Sequence, residues 1–223
     1  MLYHLPTVNI DLHDTWFLGP VEIPGRLVLA PMAGVSVQAF RRQGRRYGAA
    51  LVCSEMVSVA GIQHRNERTL GYLRVGADEH PLAIQIFGSD PIAMAEAARM
   101  VEAAGADIVD INFGCPVRKV TKTGAGAIAL TDPGHAAAIV EAISGAVSVP
   151  VTAKMRRGVD DGSPSSPSRI SFSAHGFPCA ARPIITAAAP VVASTDCAFA
   201  RDGTAPDAIT GTSTSATSSP VTE

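Results

Sequence analysis

The sequence predicts an α/β fold built on a parallel sheet. Three observations carry the prediction. Short apolar runs of strand length alternate with segments of helical periodicity. The runs are apolar throughout instead of alternating with polar residues, as expected of strands covered on both faces. Polar residues then recur at the carboxyl ends of the runs, the edge at which parallel α/β folds place their chemistry.

Residues 1–25 read as an irregular leader punctuated by Gly19, Pro20, Pro24 and Gly25. LVLAPM (27–32) is the first apolar run and is ended by AGVS. VQAFRRQGRRYG (37–48) follows as a helix, with Val37, Phe40 and Tyr47 as its apolar residues and arginines on its other face. ALVCSEM (50–56) is the second run and PLAIQIFG (81–88) the third. PIAMAEAARMVEAAGA (91–106) predicts a helix: Ile92, Ala95, Ala98 and Val101 fall at helical spacing, Ser89-Asp90-Pro91 starts it and Gly105 ends it. DIVDINFG (107–114) is the fourth run, DPGHAAAIVEAISGAV (132–147) another helix opened by Asp-Pro, and PVTAKMR (150–156) the fifth run. This rhythm fits a (β/α)8 barrel or a doubly wound sheet. The first run is followed by PMAGVS and not by GxGxxG, which weakens the dinucleotide-binding form of the second option.

The rhythm stops at Gly162. Of the 61 residues from 163 to 223, 38 are Ser, Thr, Ala or Pro and none is Lys, so this stretch is expected to be mostly disordered. PIITAAAPVVA (183–193) is its one candidate for a short strand. The expected organisation is therefore a barrel part over 1–162, truncated after about five βα units, and a low-complexity tail over 163–223.

Composition narrows the function classes. Hydrophobic residues at 47% and charged residues at 17% suit a packed soluble core. A net charge of −2 gives no bulk sign of a polyanion partner, so nucleic-acid binding would need a local basic patch. Such patches exist: Arg41/Arg45 and Arg42/Arg46 are aligned pairs at i,i+4, and Arg118, Lys119 and Lys122 follow the fourth run. Cys53, Cys115, Cys179 and Cys197 are widely spaced without CxxC, and the six histidines form no ligand pattern, so neither a metal site nor a disulfide framework is expected. No signal peptide and no apolar stretch of about 20 residues is visible. A cytoplasmic monomer away from the membrane is expected.

The carboxyl ends of the runs hold the candidate site. They are Pro31-Met32-Ala33, Ser54-Glu55-Met56, Gln85, Asn112 to Cys115, and Lys154 to Arg156. Cys115 stands between Gly114 and Pro116, backbone punctuators that suit a shaped loop better than a packed core. Cys53, inside an apolar run, reads as structural.

APMAGVS, SEM, QIFGSDP, DINFGCPVRKV, GAGAIAL and VTAKMRRG, in this order over about residues 17–161, resemble the tRNA-dihydrouridine synthase family, bacterial B type. The resemblance implies a TIM barrel with bound FMN that reduces the C5–C6 bond of uridine in tRNA, with NADPH or NADH as donor. It implies that Pro31, Met32 and Ala33 lie under the flavin ring, that Gln85 bonds its polar edge, and that Lys154 sits near its N1/C2 carbonyl. It implies that Asn112 and Arg156 contact the substrate and that Cys115 is the general acid. A thiol of ordinary pKa, about 8.5, is protonated at neutral pH and able to donate. Two alternatives accompany this reading: a related flavin barrel acting on a free pyrimidine, and an inactive fragment of such an enzyme.

Overall fold

The computed structural model describes residues 11–156 and the backbone of residues 184–188. Its centre is a curled parallel sheet. The strands are β3 (Val28–Leu29), β4 (Leu51–Cys53), β6 (Leu82–Phe87), β7 (Ile108–Phe113), β8 (Val151–Arg156) and β9 (Ile184–Ala188), hydrogen-bonded in that order and parallel throughout. A short strand β5 (Val57–Ser58) continues the line of β4 and pairs with the far end of β6. Each strand lies beside its predecessor in the chain. A doubly wound sheet reverses its order at a switch point, whereas a barrel adds strands successively around one axis. Among the described strands the order never reverses, so the sheet is of the barrel kind.

The strand β9 falls inside the stretch expected to be a disordered tail, at the position PIITAAAPVVA allows. It adds a sixth parallel strand where about five units were expected. The remainder of 163–223 lies outside the described residues, as does the expected boundary at 162.

Helices cover one face of the sheet, with the short helices α2 (Val59–Gln63) and α3 (Glu67–Gly71) in the connection between β5 and β6. Helix α4 (Pro91–Ala103) begins at Asp90, whose side chain accepts from the Ala93 backbone N–H at 2.7 Å, with Pro91 in the first turn. Helix α6 (Pro133–Ser144) repeats the device with Asp132 and the His135 N–H at 3.0 Å. Met94, Ala97, Ala98 and Val101 of α4 pack with Ala136, Ile139, Val140 and Ile143 of α6 against Leu82, Ile84, Ile86, Val109, Ile111 and Phe113. Ile92, expected on the packed face, is 72% exposed, because the buried stripe runs through Met94 instead.

Two further expectations are corrected. Within the supposed irregular leader, β1 (Trp16–Leu18) and β2 (Val21–Ile23) form an antiparallel hairpin around Gly19, which has φ 56°. The hairpin exists because Leu18 and Ile23 find an apolar site: they pack with Leu51, Cys53, Ala83 and Ile108 at the amino ends of the strands. Helix α1 (Gln38–Arg46) inverts its predicted polarity. Phe40 is 40% and Tyr47 81% exposed, while Arg41 is 2% exposed. Gly44 faces the sheet, where a β-carbon would stand 2.9 Å from Leu29, and Arg41 reaches into a buried ion pair with Glu79 at 2.8 Å.

The other face of the sheet carries the chemistry. Period-two alternation assigns it Cys53, Gln85, Asp110, Asn112, Thr152, Lys154 and Arg156. The runs over β7 and β8 are thus not apolar throughout: Asp110, Asn112 and Thr152 on this face are polar and bonded across strands.

Candidate functional site

The site is built from the carboxyl-end turns. After β3, the Pro31-Met32-Ala33-Gly34 turn has its backbone held from two sides. The Met32 N–H donates to Ser36 Oγ at 3.0 Å, and Ser36 Oγ donates to the Ala30 carbonyl at 3.2 Å. The Gly34 N–H donates to Glu55 Oε2 at 2.9 Å, and Gly34 takes the left-handed φ of 75° that favours glycine. Ser36 is supported in turn by Arg41, whose Nη1 donates to the Ser36 carbonyl at 3.1 Å. Pro31 is half-buried, and Met32 and Ala33 are exposed.

Gln85, Asn112 and Cys115 are brought together by hydrogen bonds. Gln85 Nε2 donates to Asp110 Oδ2 at 2.5 Å, and Asn112 Nδ2 donates to Gln85 Oε1 at 2.8 Å. Asn112 Oδ1 accepts from the backbone N–H of Gly114 at 3.1 Å and of Cys115 at 2.9 Å. The local turn forms because an Asn side chain offers its own backbone an acceptor two and three residues on. The Cys115 carbonyl accepts from the Ala127 N–H at 2.9 Å, which ties the loop to the 3₁₀ helix Gly126–Thr131. Cys115 is half-buried, while Cys53 on β4 is buried and its thiol is pushed up by burial.

Lys154 sits in register with Asn112 on the neighbouring strand, and Arg156 lies two residues further along the same face. Both are half-buried. Among the described residues, no hydrogen bond or ion pair is made by the Lys154 ammonium. Burial pushes the Asp110 carboxyl above its usual range, opposed by hydrogen bonds from Thr152 and Gln85 and by the charge of Lys154.

The dihydrouridine synthase (Dus) family pattern matches residues 28–168. The chain belongs to the dihydrouridine synthase family. It is similar to tRNA-dihydrouridine synthase B of Pseudomonas aeruginosa, 46% identical over 144 residues, covering 64% of this chain and 43% of that protein. It is 45% identical over 147 residues to a probable tRNA-dihydrouridine synthase 1 of Synechocystis, covering 65% of this chain and 41% of that protein. The chain thus spans less than half the length of these relatives. Among solved structures, histamine dehydrogenase from Rhizobium sp. 4-9 shares the fold, with a TM-score of 0.50 at 13% identity over 65% of this chain and 32% of that chain.

The basic patches read from the sequence divide. Arg118, Lys119 and Lys122 lie on and just after the short helix α5 (Arg118–Thr121), exposed beside the Cys115 loop, with Val120 buried beneath them. The α1 arginines behave otherwise. Arg41 is buried against Glu79, Arg45 Nη1 donates to the Ala49 and Ala50 carbonyls at 2.6 and 2.8 Å, and Arg42 is paired with Asp78 at 2.6 Å. Arg41 and Arg42 are neutralised by acids, and Arg45 is held at two backbone carbonyls of its own turn.

Sequence reading missed Asp110, Thr152 and Ser36. Asp110 carried a signal: a lone acid inside an apolar run, two residues from Asn112 and therefore on its face. Ser36 bonds Met32 and Ala30 within APMAGVS and was legible there as a turn residue, whereas Thr152 carried no signal, because its partner Asp110 is 42 residues away. No helix among the described residues is long and apolar enough to cross a membrane.

Proposed function

We propose that the chain carries the flavin-facing, amino-terminal part of a (β/α)8 barrel that reduces uridine in tRNA to dihydrouridine, with FMN as cofactor and NADPH or NADH as reductant. In this reading residues 1–162 form the barrel part, residues 163–223 a low-complexity stretch from which β9 joins the sheet, and the protein acts as a cytoplasmic monomer. The observation that carries it is the pinning of the Cys115 loop by Asn112, on a strand whose neighbour bears the Lys154 ammonium.

The residues present fit the ring end of a flavin. Met32 and Ala33 of the turn are exposed, its geometry is fixed by Ser36 and Glu55, and Lys154 is a half-buried cation at the carboxyl edge of the same sheet. Bound FMN supplies a hydride for C6 of the uracil ring. Pro31, Met32 and Ala33 would support the ring, and Lys154 would stabilise the negative charge of its reduced form. Gln85, buried with both ends of its amide bonded, would reach the ring's polar edge only by exchanging one of those partners. Cys115 holds a proton on Sγ and delivers it to C5, so that hydride and proton together saturate the C5–C6 bond. Arg156 would orient the uracil, which has left its stack to enter the site. Asn112 would contact it through the Nδ2 hydrogen now directed at Met56 Sδ, its other polar atoms being held by Gln85 and the loop.

The test is a titration of the full chain with FMN, followed by absorbance, and an assay of dihydrouridine in tRNA with NADPH supplied. Flavin binding that survives Cys115→Ala, together with loss of product, is the expected outcome. Full product formation by Cys115→Ala, or a chain that takes up no flavin, contradicts the reading. Reduction of free uracil without tRNA turnover favours a free-pyrimidine enzyme instead.

A further inference from the structure

A directed chain of hydrogen bonds crosses the inner face of the sheet and ends at the Cys115 loop. Thr152 Oγ1 on β8 donates to Asp110 Oδ1 on β7 at 2.5 Å, and Gln85 Nε2 on β6 donates to Asp110 Oδ2 at 2.5 Å. Asn112 Nδ2, back on β7, donates to Gln85 Oε1 at 2.8 Å, and Asn112 Oδ1 accepts from Gly114 N and Cys115 N. Gln85 is 1%, Asp110 5% and Thr152 7% exposed, so water cannot replace these partners.

The direction of each bond follows from the one before it. An aspartate offers only oxygens, so Gln85 must turn its NH2 toward Asp110 and its carbonyl toward Asn112. Asn112 must then turn its NH2 toward Gln85, which leaves its carbonyl for the two loop N–H groups. A reversed amide at either position would set donor against donor or acceptor against acceptor in a buried place. Protonation of Asp110 does not break the order, since a proton on Oδ1 can be given to Thr152 while Oδ2 still accepts.

We propose that Asp110 is a positioning residue for Cys115: it sets the amide orientations of Gln85 and Asn112, and through them the conformation of the 112–115 loop. That this conformation serves proton delivery rests on the function proposed above. The orientation itself does not, and it is measurable without turnover.

The experiment is alkylation of the full chain by iodoacetamide, resolved at each cysteine by peptide mass spectrometry. Cys53 is 6% exposed and reports general loosening, while Cys115 reports the loop. Asp110→Leu is expected to raise the Cys115 rate about tenfold, the scale of one lost buried hydrogen bond, with Cys53 still unlabelled. Gln85→Leu should give the same change, and the double variant no more than either, since the two act in series. Asp110→Asn keeps an acceptor oxygen for Gln85 and should stay within about twofold of the parent. The proposal is overturned if Asp110→Leu leaves Cys115 unchanged, labels Cys53 in parallel, or adds fully to Gln85→Leu. A chain that makes no dihydrouridine still returns one of these answers.

Discussion

Gly126 lies against the carbonyl oxygen of Cys115, so close that a β-carbon there would stand 2.6 Å from that oxygen. Gly126 also has φ 66°, a left-handed conformation. The glycine therefore serves both the turn into the 3₁₀ helix and the approach that holds the Cys115 loop. Gly126→Ala is expected to cost about 2 kcal/mol or more, since strain and collision combine. Gly105→Ala is the comparison: it has φ 94° but open space, and about 1 kcal/mol is expected. Urea midpoints of the two variants check this, and equal costs would remove the contact with Cys115 from the explanation.

Arg41 and Glu79 form the most buried ion pair among the described residues, with side chains 3% and 0% exposed. Glu79 also accepts from Gln38 and the Gly76 backbone, and Arg41 donates to the Ser36 and Arg74 carbonyls. Removing one partner leaves a desolvated charge, so Arg41→Met is expected to cost about 3–5 kcal/mol. The exposed Arg46 changed to alanine should stay within about 0.5 kcal/mol of the parent. Because Ser36 holds the Met32 backbone, Arg41→Met should also weaken the proposed flavin binding. Equal stability of the two variants in urea would contradict the assignment.

The contrast shows which parts of the fold are legible in sequence. Helices α4 and α6 were readable because Asp90-Pro91 and Asp132-Pro133 start them through bonds three residues long. The orientation of α1 was not, because the partner that draws Arg41 inward is 38 residues away. The β1–β2 hairpin was hidden for the same reason: its short strands are stabilised by Leu51 and Ile108, far along the chain. In the candidate site, Gln85, Asn112, Cys115 and Lys154 stand out by their motifs, and hydrogen bonds join Gln85, Asn112 and the Cys115 loop. Asp110 was overlooked because its partners Gln85 and Thr152 are 25 and 42 residues distant.

Two carboxylates should shape the acid side of the stability profile with opposite sign. Burial pushes the Asp110 carboxyl up, so the native state keeps its proton to higher pH than the unfolded chain, which loses it near ~3.9. The resulting stability is present below that value and is lost as pH rises through the native pKa. Asp110→Asn removes this loss and should gain on the parent over that rise. Glu102 is held low, chiefly by the Ser148 hydroxyl and then by the Ser148 and Val149 N–H groups. Its stabilisation is present above the unfolded carboxylate pKa and disappears as pH falls through its native value, so Glu102→Gln should be most damaging near neutrality. Urea midpoints measured across the acid range decide both, and a difference from the parent that does not vary with pH would refute either assignment.

The exposed cations beside the Cys115 loop lead to the last prediction, which follows from the proposed tRNA substrate. Arg118, Lys119 and Lys122 make no ion pair among the described residues, and the buried Val120 anchors the turn that presents them. A cation that neutralises a phosphate releases a counterion, so each contact contributes about 0.7–0.9 to the slope of log affinity against log salt. Alanine at any one of the three should weaken tRNA binding across sequences and lower the slope by about that amount. Arg45→Ala should change the slope less than any of these, because that guanidinium is held at the Ala49 and Ala50 carbonyls and not extended to solvent. Filter-binding titrations over a range of salt concentrations separate the cases. A slope that falls for Arg45→Ala and not for Lys119→Ala would move the RNA-facing surface from α5 to α1, and with it the direction from which a uridine reaches Cys115.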